Sequence, residues 1–121
     1  MGGIVTTGVV HPGGILLEEF LVPAGVSRYR LAKETFMDIT RISEIIKGER
    51  GISADTALRF SQFFGNNPEY WMNLQSRYDL ELRRREIAGV IQLIRRYEAG
   101  GNGNSRRASI EARQRTQENA A

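Results

Sequence analysis

His11 is the one histidine among 121 residues, and there is no cysteine. A lone imidazole beside Pro12, with no second histidine and no thiolate, offers neither a zinc site nor a nucleophile–base pair. It reads as a surface or helix-start residue. The serines and aspartates have no base partner at motif spacing, and no glycine-rich loop follows a strand to cradle a phosphate. Neither an enzyme nor a bound cofactor or metal is expected. Side chains suited to another chemistry gather in and just after SRYRLAKETFMDITRISEIIKG, residues 27–48. These are the hydroxyls of Thr40 and Ser43, the Glu44 carboxylate, and the cations Arg28, Arg30, Lys33, Arg41, Lys47 and Arg50. Hydroxyls and carboxylates can hydrogen-bond base edges, and guanidinium or ammonium groups suit phosphates.

The elements that must position these groups are two short helices joined by a tight turn. Ser27 is a good N-cap for the first, with Leu31 and Ala32 inward, and Asp38 can cap the second. Ile42, Ile45 and Ile46 recur at i, i+3, i+4 and give the second helix one apolar face. Thr40, Ser43, Glu44 and Lys47 lie opposite, with Arg41 at the edge. One helix packs while the other presents side chains, as in a helix-turn-helix entering a DNA major groove. An ordinary helical hairpin within a bundle fits the same spacing.

The flanking chain extends the helical pattern. Residues 1–10 read as a flexible or locally extended arm. Gly13 to Leu21 predicts a first helix ending near Pro23 and Gly25. Ser53 caps a fourth helix, with Ala54, Ala57, Leu58, Ser61 and Phe64 on one face and Gly65 as its stop. Asn67-Pro68 starts a fifth helix carrying Trp71, Leu74 and Tyr78. The expected fold is therefore all-α, a five-helix domain over residues 11–81. A further helix over 82–98 has a stripe of Ile87, Val90, Ile91, Ile94 and Tyr97, and a polar, basic, disordered tail is expected over 99–121. Phe60, Phe63, Phe64, Tyr70, Trp71 and Tyr78 have helical spacing, which favours core packing over base stacking.

The net charge is +3, but it is unevenly placed. Residues 1–80 hold eight Lys and Arg against nine Asp and Glu, a net of −1, and the basic excess follows later. A near-neutral reading domain binds DNA weakly alone, so dimerisation is expected. No apolar run is long enough to span a membrane, and a cytoplasmic protein is the expectation.

HPGGILLEEFL (11–21), SRYRLAK (27–33), TRISEIIKGERGISADTALR (40–59) and EYWMNLQSRYDLE (69–81) together resemble the HigA-type, VapI-like antitoxins. These are a branch of the lambda-repressor-like (XRE) helix-turn-helix proteins. The resemblance implies that Ile39, Thr40, Ser43 and Glu44 face the bases, and that the protein is a homodimer on a palindromic double-stranded operator. It also implies a partner, a HigB-type toxin that cleaves mRNA at the ribosome, which the antitoxin neutralises while repressing its own promoter. Three departures stand out. Gly14 replaces a usual glutamate after His11-Pro12-Gly13, and Thr35-Phe36-Met37-Asp38 occupies a turn that is typically Leu-Gly-Val-Pro. A helix and basic tail also follow Glu81, where many relatives are nearly finished. Phe36 at a position needing φ > 0 implies either another turn geometry or tolerated strain. Two other functions remain open: a regulator with no toxin, and a toxin-binding inhibitor that no longer reads DNA. The first would lack a neighbouring toxin gene, and the second would leave its own upstream DNA unshifted.

Overall fold

The computed structural model describes residues 5–6 and 8–99. Val5–Thr6 (β1) pairs antiparallel with Val9–Val10 (β2), placing Val5 opposite Val10 and Thr6 opposite Val9. The predicted arm is thus locally extended in these four residues. The remaining expectations for the arm, and for the tail from residue 100 onward, lie outside the described residues.

Helix α1 (Pro12–Ile15) runs without interruption into a π-helical segment, Leu16–Leu21, and then α2 (Val22–Ala24). The Val22 N–H reaches back to the Leu17 carbonyl, five residues away. The wide turns have a cause in Pro23, which lacks an N–H and whose ring strikes the carbonyl four residues back in a regular helix. Gly25, at φ 64°, ends the element near the expected place. Then come α3 (Arg28–Thr35), α4 (Ile39–Ile46), α5 (Ala54–Phe64), α6 (Pro68–Glu86) and α7 (Ala88–Leu93). Ser27, Asp38 and Ser53 cap α3, α4 and α5 through their side chains. Asn67 occupies the N-cap of α6 but makes no capping bond through its side chain, so Pro68 carries that start signal alone.

The core lies between the first helix, α3, α4, α5 and the start of α6. Leu16, Leu31, Ile42, Ile45, Phe60 and Trp71 are fully buried. Trp71 is its hub, with the rings of Phe20, Phe60, Phe64 and Tyr70 centred 4.8–5.8 Å away and its Nε1 donating to Asn66 Oδ1. The inward face of α5 is Thr56, Ala57, Phe60 and Ser61; Leu58, expected inside, is exposed. Ala57 and Ser61 are buried as expected and Phe64 packs against the core, whereas Ala54, like Leu58, is exposed.

His11 is buried rather than on the surface. Its Nδ1 accepts the Gly13 N–H at 2.9 Å, capping α1, and its ring meets Tyr78 edge-on at 4.7 Å. Gly13 is needed for a separate reason. A Cβ there would lie 1.7 Å from the Ile45 carbonyl oxygen, so α1 approaches the end of α4 backbone to backbone.

The chain divides into two units, residues 1–88 and 89–121. The helix expected to begin at 82 differs from what is found, because α6 continues through Glu86 and breaks at Ile87. α7 ends at Leu93, so Ile94 and Tyr97 fall beyond it and the predicted single stripe is cut short. Val90, Ile91, Leu93, Ile94 and Tyr97 are exposed. No helix among the described residues is long and apolar enough to cross a membrane.

Two predictions follow from this packing. Gly13→Ala should destabilise the domain by about 3 kcal/mol or more, because backbone rather than a flexible side chain must move; urea unfolding measures it. The second concerns pH. Burial lowers the His11 pKa, opposed by Asp79, and the capping bond requires an unprotonated Nδ1. The unfolded chain therefore takes up the proton first. The stability contributed by neutral His11 is present above the ordinary histidine value of about 6.5 and falls away as pH drops below it. Thermal melts of His11→Asn, which keeps a capping side chain but does not titrate, should lose this slope.

Candidate nucleic-acid interface

α3 and α4 form the helix-turn-helix, with α4 as the presenting helix. Asp38 Oδ1 accepts the Thr40 N–H at 3.1 Å and opens α4, whose buried face is Ile42, Ile45 and Ile46. Outward lie Thr40 and Lys47, exposed, with Ser43 and Glu44 half-buried between them. Ile39 is half-buried and packs against the core, so it divides itself between padding and surface. This brings Thr40, Ser43, Glu44 and Lys47 onto one face of one helix. Arg28 and Arg30 sit apart from them, on the first turn of α3.

Several predicted cations are engaged inside the chain. Arg41 is the clearest case. Its Nη2 bonds Thr56 Oγ1 at 2.6 Å, Ser53 Oγ at 3.2 Å and Asp55 Oδ2 at 3.2 Å, tying α4 to the start of α5. It was expected as a phosphate contact, and its Nη2 serves as a cross-link within the fold. Glu44 pairs with Arg50 at 2.9 Å. Arg30 pairs with Glu34 at 2.6 Å, though both stay largely exposed and the pair is worth little. Among the described residues, Arg28, Lys33 and Lys47 make no ion pair.

The turn resolves the question raised by Phe36, which adopts the left-handed conformation at φ 55° and ψ 44°. For a non-glycine residue this costs about 1–2 kcal/mol. The turn keeps the geometry that glycine would take. The Met37 N–H reaches the Ala32 carbonyl at 2.9 Å and the Phe36 N–H reaches Lys33, the paired bonds of a Schellman cap, with Met37 buried beneath.

A residue that sequence reasoning missed holds this turn. Arg59 Nη1 donates to the carbonyls of Thr35 and Phe36, both at 2.9 Å, while its Nε holds Asp55 at 2.9 Å. The hydrogen bond from Arg59, reinforced by Arg41, keeps the Asp55 carboxyl below its ordinary pKa despite partial desolvation. The Asp55–Arg59 spacing at i, i+4 is visible in the sequence, but the reach of 23–24 residues back to the turn is not. Gln75 is a second omission; its Oε1 accepts the Ile52 N–H at 2.7 Å and pins the loop after α4 to α6. Replacing Arg59 by Lys should cost about 1–3 kcal/mol in urea unfolding, since an ammonium cannot span both carbonyls and Asp55 in that planar arrangement. Full stability in that variant would deny the clamp.

Known proteins share this architecture. A helix-turn-helix family model matches residues 17–71. Virulence-associated protein I of Dichelobacter nodosus is 46% identical over 85 residues, covering 70% of this chain and 79% of that protein. The solved Pseudomonas aeruginosa antitoxin HigA with higBA promoter is 34% identical, with a TM-score of 0.69 over 73% of this chain and 96% of its own. An addiction module antidote protein of the HigA family from Coxiella burnetii is 38% identical, with a TM-score of 0.68 over 80% of this chain and 100% of its own. With its capped, amphipathic α4 set behind a Schellman turn, the chain belongs to the HigA family of DNA-binding helix-turn-helix antitoxins.

Proposed function

We propose that this protein is an autorepressing antitoxin, which binds a palindromic operator upstream of its own gene and neutralises a HigB-type mRNA endonuclease. The observation that carries the DNA half is α4 itself. Three isoleucines anchor it, its capped first turn leaves Thr40 exposed, and Lys47 stands at its far end. The P. aeruginosa relative solved with a promoter supports the same use of this fold. In this reading Thr40 and Ser43 hydrogen-bond base edges, Glu44 accepts from cytosine when its pairing with Arg50 opens, and Ile39 offers an apolar edge. Arg28, Lys33 and Lys47 take phosphates; Arg30 and Arg50 join them by exchanging a carboxylate for a phosphate.

A domain with so few unspent cations gains affinity by doubling. The working form is a homodimer whose two α4 helices read half-sites about 34–36 Å apart. The toxin is bound by the folded surface or the N-terminal arm. The tail over 99–121, with Arg106, Arg107, Arg113 and Arg115, is a poor electrostatic match for a basic RNA-cleaving protein and favours DNA phosphates.

Gel-shift titration on the protein's own upstream DNA tests the DNA half. Thr40→Ala should weaken operator binding by about 1–3 kcal/mol and relax specificity at one position, with the salt slope unchanged. Arg41→Ala should instead lower thermal stability, and lose DNA affinity only as far as α4 shifts. A Thr40→Ala protein that binds like wild type would remove α4 from the groove. Rescue of growth when the neighbouring toxin gene is co-expressed tests the other half.

A further inference from the structure

We infer that Phe36 is a specificity-determining contact, whose ring packs on a thymine C5 methyl in the major groove beside α4. The inference rests on the DNA-binding reading above and deepens it. Phe36 is 88% exposed, so the fold gains almost nothing from burying its ring. It nevertheless occupies the one non-glycine position at positive φ among the described residues. The Arg59 clamp steadies the backbone there, yet nothing among the described residues uses the side chain itself, which is the pattern of a residue retained for what it touches outside the chain. Nor is the ring on a loose loop. Its own carbonyl and that of Thr35 are both held by Arg59 at 2.9 Å, and its N–H is bonded within the cap. A rigid backbone therefore presents a large apolar group two residues before the N-cap of the recognition helix.

The polar surroundings argue for a polyanion as the covering partner. Glu34 is paired with Arg30, Asp38 Oδ1 is bonded to the α4 terminus, and Asp55 is held by both Arg59 and Arg41. Lys33, one turn back along α3, is exposed and makes no ion pair among the described residues. These carboxylates are thus engaged, Arg59 is committed to the turn, and the Lys33 ammonium carries no carboxylate partner among those residues, which favours DNA over a basic protein surface. Within a groove, the group an aromatic ring can read without hydrogen bonds is the thymine methyl.

Phe36→Gly and Phe36→Asn both suit the left-handed conformation, so both should fold and should melt at or above the wild-type temperature. Each is titrated by gel shift against a duplex from immediately upstream of the protein's reading frame, and against a scrambled duplex of equal length. Operator affinity should fall roughly tenfold while scrambled binding and the salt slope stay unchanged. The decisive measurement uses upstream duplexes with single thymines replaced by deoxyuridine, which deletes one methyl. At one position in each half-site the replacement should weaken wild type about fourfold, the worth of one buried methyl, and leave Phe36→Asn unaffected. The proposal is overturned if every replacement affects wild type and variant equally. It is also overturned if the variants keep operator affinity but lose toxin binding or self-association, which would make the ring a protein contact. Wild type that fails to distinguish the upstream from the scrambled duplex would overturn the DNA-binding reading itself.

Discussion

The helix-turn-helix depends on a backbone contact between α1 and the end of α4. With no side chain at Gly13, the first helix rests against the peptide of Ile45, closer than any other residue would permit. That contact fixes the buried end of the recognition helix, and the isoleucine face fixes its roll. The open first turn is then aimed by the parts behind it rather than by its own residues. Capping by His11 and Asp38 starts the two helices that meet there, so one glycine and two side-chain acceptors define their relative placement.

Around this contact the chain uses its cations as cross-links. Arg41 ties α4 to α5, Arg59 ties α5 to the turn, and Arg50 folds back onto Glu44. A basic residue count over the domain therefore overstates its attraction for phosphate. The part-buried hydrogen bond from Arg41 to Thr56 is also a better contributor to stability than the exposed pairs, because each of its donors would otherwise have to be solvated beside the core. The same engagement concentrates the remaining electrostatics onto a few positions, which favours orientation over bulk affinity.

Much of this was legible from residue spacing. The caps at Ser27, Asp38 and Ser53, the stop at Gly65 and the isoleucine face of α4 are local signals acting within one or two turns, and they emerged where the spacing put them. Leu58 was misplaced because an eleven-residue helix allows neighbouring faces nearly equal apolar content, and only packing against Trp71 selects between them. The break at Ile87 was missed because the stripe beyond it keeps helical spacing across the interruption. The roles of Arg41, Arg59 and Gln75 were out of reach for a different reason: the partners they cross-link to in other elements lie 12 to 24 residues away, and an arginine on a helix surface looks the same whether it faces water or a carbonyl.

The arginine clamp on the turn has a consequence for how this sequence can change. With glycine at position 36 the left-handed turn forms without assistance, and an arginine at position 59 is a dispensable addition. With phenylalanine there, the same arginine offsets a standing conformational cost, and its loss is no longer neutral. The two sites are coupled, so order matters: the aromatic costs less stability when the clamp is already in place. Reversion is constrained in the same direction, since the arginine can drift only after the turn has regained its glycine.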